Sequence, residues 1–495
     1  MSTKLEKQEL RERKKKAKQN SLMTGSVGKI IMKMSVPTIL SFLITSIYNL
    51  ADTYFVSSLG TNATAAVGVN QSLDMLIMRG GSMLAVGAAS YISRLLGAGN
   101  KEKANKVLST SFFTALFFGA LILIFGKIFI DGLVRALGAT DTCAQYSIDY
   151  ATYLLYAAPL MATSFVMNQG LRAEGSAMLS MIGMGIGGII NCILDPFFIF
   201  ESVPIFGMNL PGLGLEVAGA SMATAISKLI SFLVLVFPYI TRRTELRLSV
   251  KSISYAKDIV KEVCTVGSSS FFRTGLSIVA GIILNNLAGG ISDSCLAAIG
   301  VSTKVMMFPF GFLLGFGMGY QPVAGYGWGA KNYKRVRQAY NFSMKTAIIG
   351  AIVMGALVFI FAGPIIGLFT ETDDELLRLG MWCIRTQGIA LVAQAWVMIV
   401  NMLCGAIGYG FGAVFLSLLR QGICFIPIIF PLAWILGDIG LCTAQAAADG
   451  ISILVTIPIL KIVLGKIDSA EDEHATRASK KKINLLERIK HHRNE

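Results

Sequence analysis

Charge is what this sequence has least of. Only 15% of its 495 residues are Asp, Glu, Lys or Arg, while 54% are hydrophobic, against roughly 25% charged in a soluble domain. With a mean hydropathy of +0.63, that much apolar sequence is more than one globular core can use. Histidine is almost missing: His474, His491 and His492 are the only three, all near the C-terminus, which excludes a histidine relay inside a membrane and an acyltransferase built on one. The eight cysteines are scattered singly with no C-x-x-C pair, so they read as packing residues, not disulfides or metal ligands. No phosphate-binding loop is present, because Gly28 and Lys29 have no glycine five positions earlier and are followed by Ile30; that excludes ATP as a direct energy source. Paired aspartate-rich Mg2+ motifs, which a membrane-embedded transferase of the prenyl class needs, are also absent.

What is there is a series of long apolar runs. At about 20 apolar residues per crossing, polar breaks divide the chain into twelve expected spans near 30–57, 63–93, 107–134, 145–169, 177–200, 215–239, 263–287, 295–327, 338–369, 376–405, 410–436 and 441–464. The first run is long enough to span and lacks a cleavage pattern, so it is expected to stay as a helix. The net charge of +15 is concentrated at the ends and in alternate connections. Lys101, Lys103 and Lys106, then Arg172, then Arg242 to Lys261, then Lys331 to Arg337 fall in one set, with both basic tails. The other set, around Ser58–Asn62, Glu201–Gly214, Gly289–Ser294 and Gly437–Gly440, has no Lys or Arg. An acidic turn at Glu371, Asp373, Asp374 and Glu375, with Arg378 at its edge, also belongs to that second set. Positively charged loops stay on the cytoplasmic side, so both termini are expected there. The tails, Lys4–Lys18 and Lys466–Arg493, read as solvated segments near anionic headgroups, not as nucleic-acid arms.

The halves repeat. AAVGVNQ from Ala65 is echoed by AAIGVST from Ala297, and GAGNKEKANKV from Gly97 by GWGAKNYKRV from Gly327. Two six-span units of like orientation form a parallel repeat, for which rocking of two lobes about a central cavity is the expected mechanism. The resulting plan is an all-α integral membrane protein with a basic tail (1–28), an N-lobe (29–240), a linker (241–262), a C-lobe (263–465) and a second basic tail (466–495).

Charges inside a bilayer are costly and usually functional. Asp52 in span one and Asp195 in span five both fall about 7 Å of helix rise below the same boundary, so they can meet. Asn191 is one turn before Asp195, and Tyr48 one turn before Asp52. Thr224 in span six reaches a similar depth. This all-oxygen set suits a hard cation, and two neighbouring carboxylates also hold a proton well; Na+ and H+ are both open. Pro196 frees a backbone carbonyl beside Asp195, and Pro37 should bend span one. The second half has no matching acids. There, Asp449 with Arg273, Lys304, Arg385 and Arg420 reads as structural pairing.

Several strings together resemble the multidrug and toxic compound extrusion (MATE) family and its MepA-like bacterial branch, over roughly Ile30 to Leu464: NLADTYFVSSLG from Asn49, AAVGVNQ from Ala65, NQGLRAEGSAM from Asn168, NCILDPFFIF from Asn191, GASMATAIS from Gly219 and GMGYQPVAGYGWGAKN from Gly317. The resemblance implies a V-shaped two-lobe exporter, not an enzyme, that exchanges Na+ or H+ for organic, often cationic, drugs. It implies no cofactor, and a monomer in a bacterial plasma membrane. It also implies a first-lobe cation site at Asp52, Asn191, Asp195 and Thr224, with Pro37 as the bending proline. The second-lobe acids of one branch are absent, which counts against a second-lobe sodium site. Thioethers adapt to varied shapes and ring faces attract cations. Gln71, Met75, Met78, Met307, Phe308, Phe312 and Tyr320 are therefore candidates to line the drug cavity. The nearest rival is a flippase for lipid-linked saccharides, which calls for extra spans and a strongly cationic cavity.

Overall fold

The computed structural model describes residues 24–205, 208–369 and 373–494. The basic run Lys4–Lys18 and Glu371 lie outside the described residues, as do the side chains of Lys480–Lys482, His491 and His492. The helices are α1 (Val27–Ser57), α2 (Thr61–Gly97), α3 (Lys101–Ile128), α4 (Ile130–Ala136), α5 (Ala144–Ala173), α6 (Ala177–Ile199) and α7 (Glu216–Ile240) in the first half. The second half has α8 (Lys257–Gly289), α9 (Asp293–Gly329), α10 (Tyr333–Ile360), α11 (Ala362–Gly367), α12 (Asp374–Ile407), α13 (Gly410–Leu418), a π-helical turn at Leu419–Phe425, and α14 (Ile426–Asn494). A two-stranded antiparallel hairpin, β1 (Ser202–Ile205) with β2 (Met208–Pro211), follows α6 and has no counterpart among the described residues of the second half.

Eleven stretches among the described residues are long and apolar enough to cross a bilayer, and the last of them, Gly410–Thr476, runs for 67 residues. A straight helix of that length would reach about 100 Å, three times the hydrocarbon thickness of about 30 Å. Gly437 breaks it, with φ 58° and ψ −128°. The chain folds back there: Arg420 Nε lies 2.6 Å from Asp449 Oδ1, whereas 29 residues of continuous helix would separate them by more than 40 Å. The stretch is thus two spans, and the described residues hold twelve transmembrane helices.

Helix packing repeats between halves. In the first, α2 packs on α3 and α5, α3 on α5, α1 on α6, and α5 and α6 on α7. In the second, α9 packs on α10 and α12, α10 on α12, α8 on α13, and α12 and the π turn on α14. Even the caps repeat: the Asn100 side chain accepts from the Lys103 amide at the start of α3, and Asn332 from the Arg335 amide at the start of α10, each satisfying an orphan donor. The two lobes meet symmetrically, α1 against α9 and α8 against α2. Backbones touch where side chains are missing. A Cβ on Gly87 would fall 2.0 Å from the Val263 carbonyl oxygen, and one on Gly329 1.9 Å from that of Arg94. Both approaches are at the Lys/Arg-rich end. An Arg94–Glu262 ion pair at 2.7 Å joins the lobes there as well.

Helices α1, α2, α5, α8, α9 and α12 run longer than the expected spans. The linker's last turn, Lys257–Glu262, already belongs to α8, and the third and ninth spans break at Phe129 and Phe361 into short terminal helices. The rest of the linker is tied to the first lobe. The Glu174 carboxylate accepts from the Glu245 and Leu246 amides at 2.9 and 3.2 Å, and Lys101 pairs with Glu245.

Candidate functional site

The first lobe gathers its polar residues by helical period. On α6, Asn191 and Asp195 are one turn apart, as are Thr224 and Lys228 on α7 and Tyr48 and Asp52 on α1. Glycines let these helices close up. A Cβ on Gly188 would lie 2.8 Å from a Tyr48 ring carbon, and one on Gly187 2.9 Å from Ser231 Cβ, so α6 can pack directly on α1 and α7.

Asn191 Nδ2 donates to Asp195 Oδ1 at 2.9 Å and to Thr224 Oγ1 at 3.2 Å, and Tyr150 of α5 lies beside Thr224. Asp195 is wholly buried and Asn191 nearly so. Asp52 lies within electrostatic reach of Asp195. Among the described residues it makes no hydrogen bond to Asp195, and no three acidic, histidine or cysteine side chains converge as a metal cluster would require. Pro196 lies inside α6 one residue after Asp195 and withdraws a backbone donor there, so the carbonyl one turn earlier loses its helical partner. Pro37 is buried within α1, where Ser41 Oγ donates to its carbonyl at 2.9 Å.

Two charges near this cluster escaped the sequence reasoning: Asp74 on α2 and Lys228 on α7, both within electrostatic reach of Asp52. Lys228 Nζ donates to the Tyr48 hydroxyl at 3.0 Å and lies 5.2 Å from that ring's centroid. The signal for Lys228 was its position one turn after Thr224, on the same helix face. For Asp74 it was a lone acid in an apolar segment.

Three buried oxygens, Asp52 Oδ1, Asn191 Oδ1 and Asp195 Oδ2, have no hydrogen-bond partner among the described residues. Buried polar atoms are normally satisfied; three acceptors left over suit a group that brings positive charge or a donor. An open cavity of about 680 Å3 adjoins them, lined by Tyr48, Met78, Asn168, Asn191, Thr224 and Lys228 among others. Of the other residues expected to line a drug cavity, none lines this one. Gln71, Met75 and Met307 are exposed, Phe308 is half-buried, and Phe312 packs over Gly350 of α10. Tyr320 is fully buried in the core.

The MatE family model matches residues 37–197 and 270–435, one segment in each lobe. The chain is 26% identical over 450 residues to the multidrug export protein MepA of Staphylococcus saprophyticus, covering 90% of this chain and 97% of that one. It is 28% identical over 427 residues to the MepA of Staphylococcus haemolyticus, covering 86% and 91%. A solved structure described as the outward-facing conformation of a multidrug resistance MATE family transporter of the MOP superfamily superimposes with a TM-score of 0.83 at 26% identity, covering 91% of this chain and 98% of that one.

Proposed function

The chain belongs to the MatE family, and on that premise we propose that it exports organic, often cationic, drugs across a bacterial plasma membrane in exchange for H+ or Na+. The Lys/Arg-rich end, where α1 and α2 meet α9 and α8, faces the cytoplasm under the positive-inside rule. The close approaches of Gly87 to Val263 and Gly329 to Arg94 support reading this as the state closed to the cytoplasm.

The observation that carries the reading is a shared wall. Asn191 and Thr224 are hydrogen-bonded into the Asp195 cluster and also line the cavity. A proton or Na+ arriving at Asp195 draws on the same amide and hydroxyl that a drug would touch, so the two compete. With Asp52, Asp74 and Asp195 ionised against one Lys228, the region holds an excess of negative charge, which attracts a cationic drug. Proton uptake or Na+ binding removes that attraction, and differential affinity of this kind is what couples two ligands. Na+ would take oxygens from Asp195, Asn191 and Thr224, with Asp52 as the further carboxylate. The acidic balance of this cavity also disfavours an anionic lipid-linked pyrophosphate as its cargo.

The test uses purified protein in proteoliposomes loaded with a fluorescent cationic dye. An imposed pH or Na+ gradient is expected to drive dye movement, and the gradient that works names the ion. Dye movement under neither gradient would refute ion-coupled drug export.

A further inference from the structure

The second lobe holds a cavity of its own, about 880 Å3, whose charge is the reverse of the first. Two guanidinium groups line it, Arg273 from α8 and Arg420 from the π-helical turn, close enough to repel one another. One carboxylate answers them. Asp449 is 1% exposed, pairs with Arg420 Nε at 2.6 Å, and accepts from Gln394 Nε2 at 2.9 Å and Gln445 Nε2 at 3.2 Å. Arg273 has no acidic partner among the described residues. All of this lies deep in the spans, where an uncompensated cation is expensive and normally serves a ligand.

Two further features make it a built site. The Leu419–Phe425 turn is π-helical, a geometry that is rare and concentrates at functional sites, and both Arg420 and Gln421 from it line the cavity. Arg420 engages Asp449 through Nε and Nη2, its Nη1 makes no hydrogen bond among the described residues, and its guanidinium carbon lies 5.7 Å from the Phe310 ring centroid. That contact holds the fork in place. Phe310, Leu314, Val397 and Met398 supply apolar wall around it.

We propose that this C-lobe cavity binds an amphiphile bearing an oxyanion, specifically an organic carboxylate with an aromatic or apolar body, its carboxylate held between Arg273 and the free Nη1 of Arg420. Guanidinium matches a carboxylate in planarity and donor spacing, and an oxyanion would cancel the one surplus positive charge. The protein then has two pockets of opposite preference, a cation site in the first lobe and an anion site in the second, and the second does not depend on the drug-export reading of the first.

The experiment is equilibrium binding of 2-naphthoate to the purified full chain in nonionic detergent, with neutral 2-naphthamide as the isosteric control and phosphatidylglycerol in mixed micelles as the competing anionic lipid. Saturable binding of naphthoate is expected, at least about tenfold tighter than naphthamide, as for hydrogen bonds to a charged group. Arg273→Gln should weaken naphthoate by about the same factor without moving naphthamide, and Arg273→Lys should restore part of it. Arg273 has no carboxylate partner, so its loss orphans no buried acid; a melting temperature equal to wild type checks the fold. Equal affinity for naphthoate and naphthamide in the wild type overturns the proposal, as does unchanged naphthoate binding in a folded Arg273→Gln. If phosphatidylglycerol binds in an Arg273-dependent way while naphthoate does not, the oxyanion comes from lipid and the carboxylate assignment is overturned.

Discussion

Replacing Arg420 by Gln should destabilise the second lobe much more than replacing its partner Asp449 by Asn. Removing one member of a buried ion pair costs about 3–5 kcal/mol, because a charge is left without compensation. Asp449 is the buried member, at 1% exposure, while Arg420 keeps 22% of its side chain accessible. After Arg420→Gln the carboxylate retains two amide donors, from Gln394 and Gln445, which offset about 1–2 kcal/mol. The net loss is about 2–3 kcal/mol. After Asp449→Asn the side-chain oxygen still accepts from Arg420, whose guanidinium reaches the open cavity and the Phe310 ring, so the loss falls to about 1 kcal/mol. The double variant should recover part of the Arg420→Gln deficit, since the buried carboxylate is no longer left without its paired guanidinium. The cysteines offer the assay: Cys143, Cys295, Cys383, Cys404, Cys424 and Cys442 are free and buried, and a thiol-reactive fluorophore reports their exposure on heating in detergent. The expected order of melting temperatures is wild type, Asp449→Asn, the double variant, then Arg420→Gln. An Asp449→Asn that melts as low as Arg420→Gln would refute the reasoning from asymmetric burial.

Further outcomes follow from other contacts. Gly87→Ala combined with Gly329→Ala places methyl groups against the Val263 and Arg94 carbonyl oxygens and should wedge the lobes apart at the basic end. A cysteine introduced at Ser90, in a background without native cysteines, should then react faster with a polar thiol reagent, and an unchanged rate would count against closure there. Glu174→Ala removes the acceptor for the Glu245 and Leu246 amides, so trypsin should cleave at Arg242, Arg243 and Arg247 about tenfold faster, the factor set by one charge-assisted bond. Outside the spans, Asp373 accepts from the Leu376 amide and the Ser294 hydroxyl, which hold its carboxyl below the usual range. A depressed folded-state value means its stabilising effect is present above the ordinary carboxylate pKa and is lost as pH falls through the lower one. Asp373→Asn should therefore flatten the acid limb of a melting-temperature profile below about pH 4, and an unaltered limb would show the cap to be inert.

The architecture was legible because it is written in coarse signals. Lys and Arg alternate between connections, Gly97–Val107 echoes Gly327–Val336, and the Gly437–Gly440 break falls where the last long helix turns back on itself. The break at Phe361 carries a signal, since Pro364 lacks the N–H that would bond the Ile360 carbonyl and Gly363 precedes it; the break at Phe129 has no proline near it and was not legible. In the first lobe, the one-turn spacing of Asn191 and Asp195 and the depth of Thr224 are visible in a list of residues, and these three are hydrogen-bonded together. Lys228 and Asp74 are each an isolated charge in an apolar run, but only tertiary packing brings α2 and α7 within electrostatic reach of Asp52. The cavity lining was harder still. Met78 lines the first cavity and Met307 does not, and on an apolar helix only tertiary packing separates a lipid-facing methionine from one facing a cavity. The π-helical turn at Leu419–Phe425 has no sequence signature at all, yet it aims Arg420 and Gln421 into the second cavity.

The central claim is that Asp195 carries the coupling ion, and counterflow measures it most directly. Proteoliposomes containing wild type or Asp195→Asn are given an inward dye gradient and no ion gradient, and the opposing movement of H+ and of Na+ is recorded alongside dye flux. The account predicts that dye entry through the wild type drives one of the two ions outward, and that Asp195→Asn, with its amide still able to bond Asn191, binds dye but moves neither ion. Ion counterflow undiminished in Asp195→Asn would contradict it.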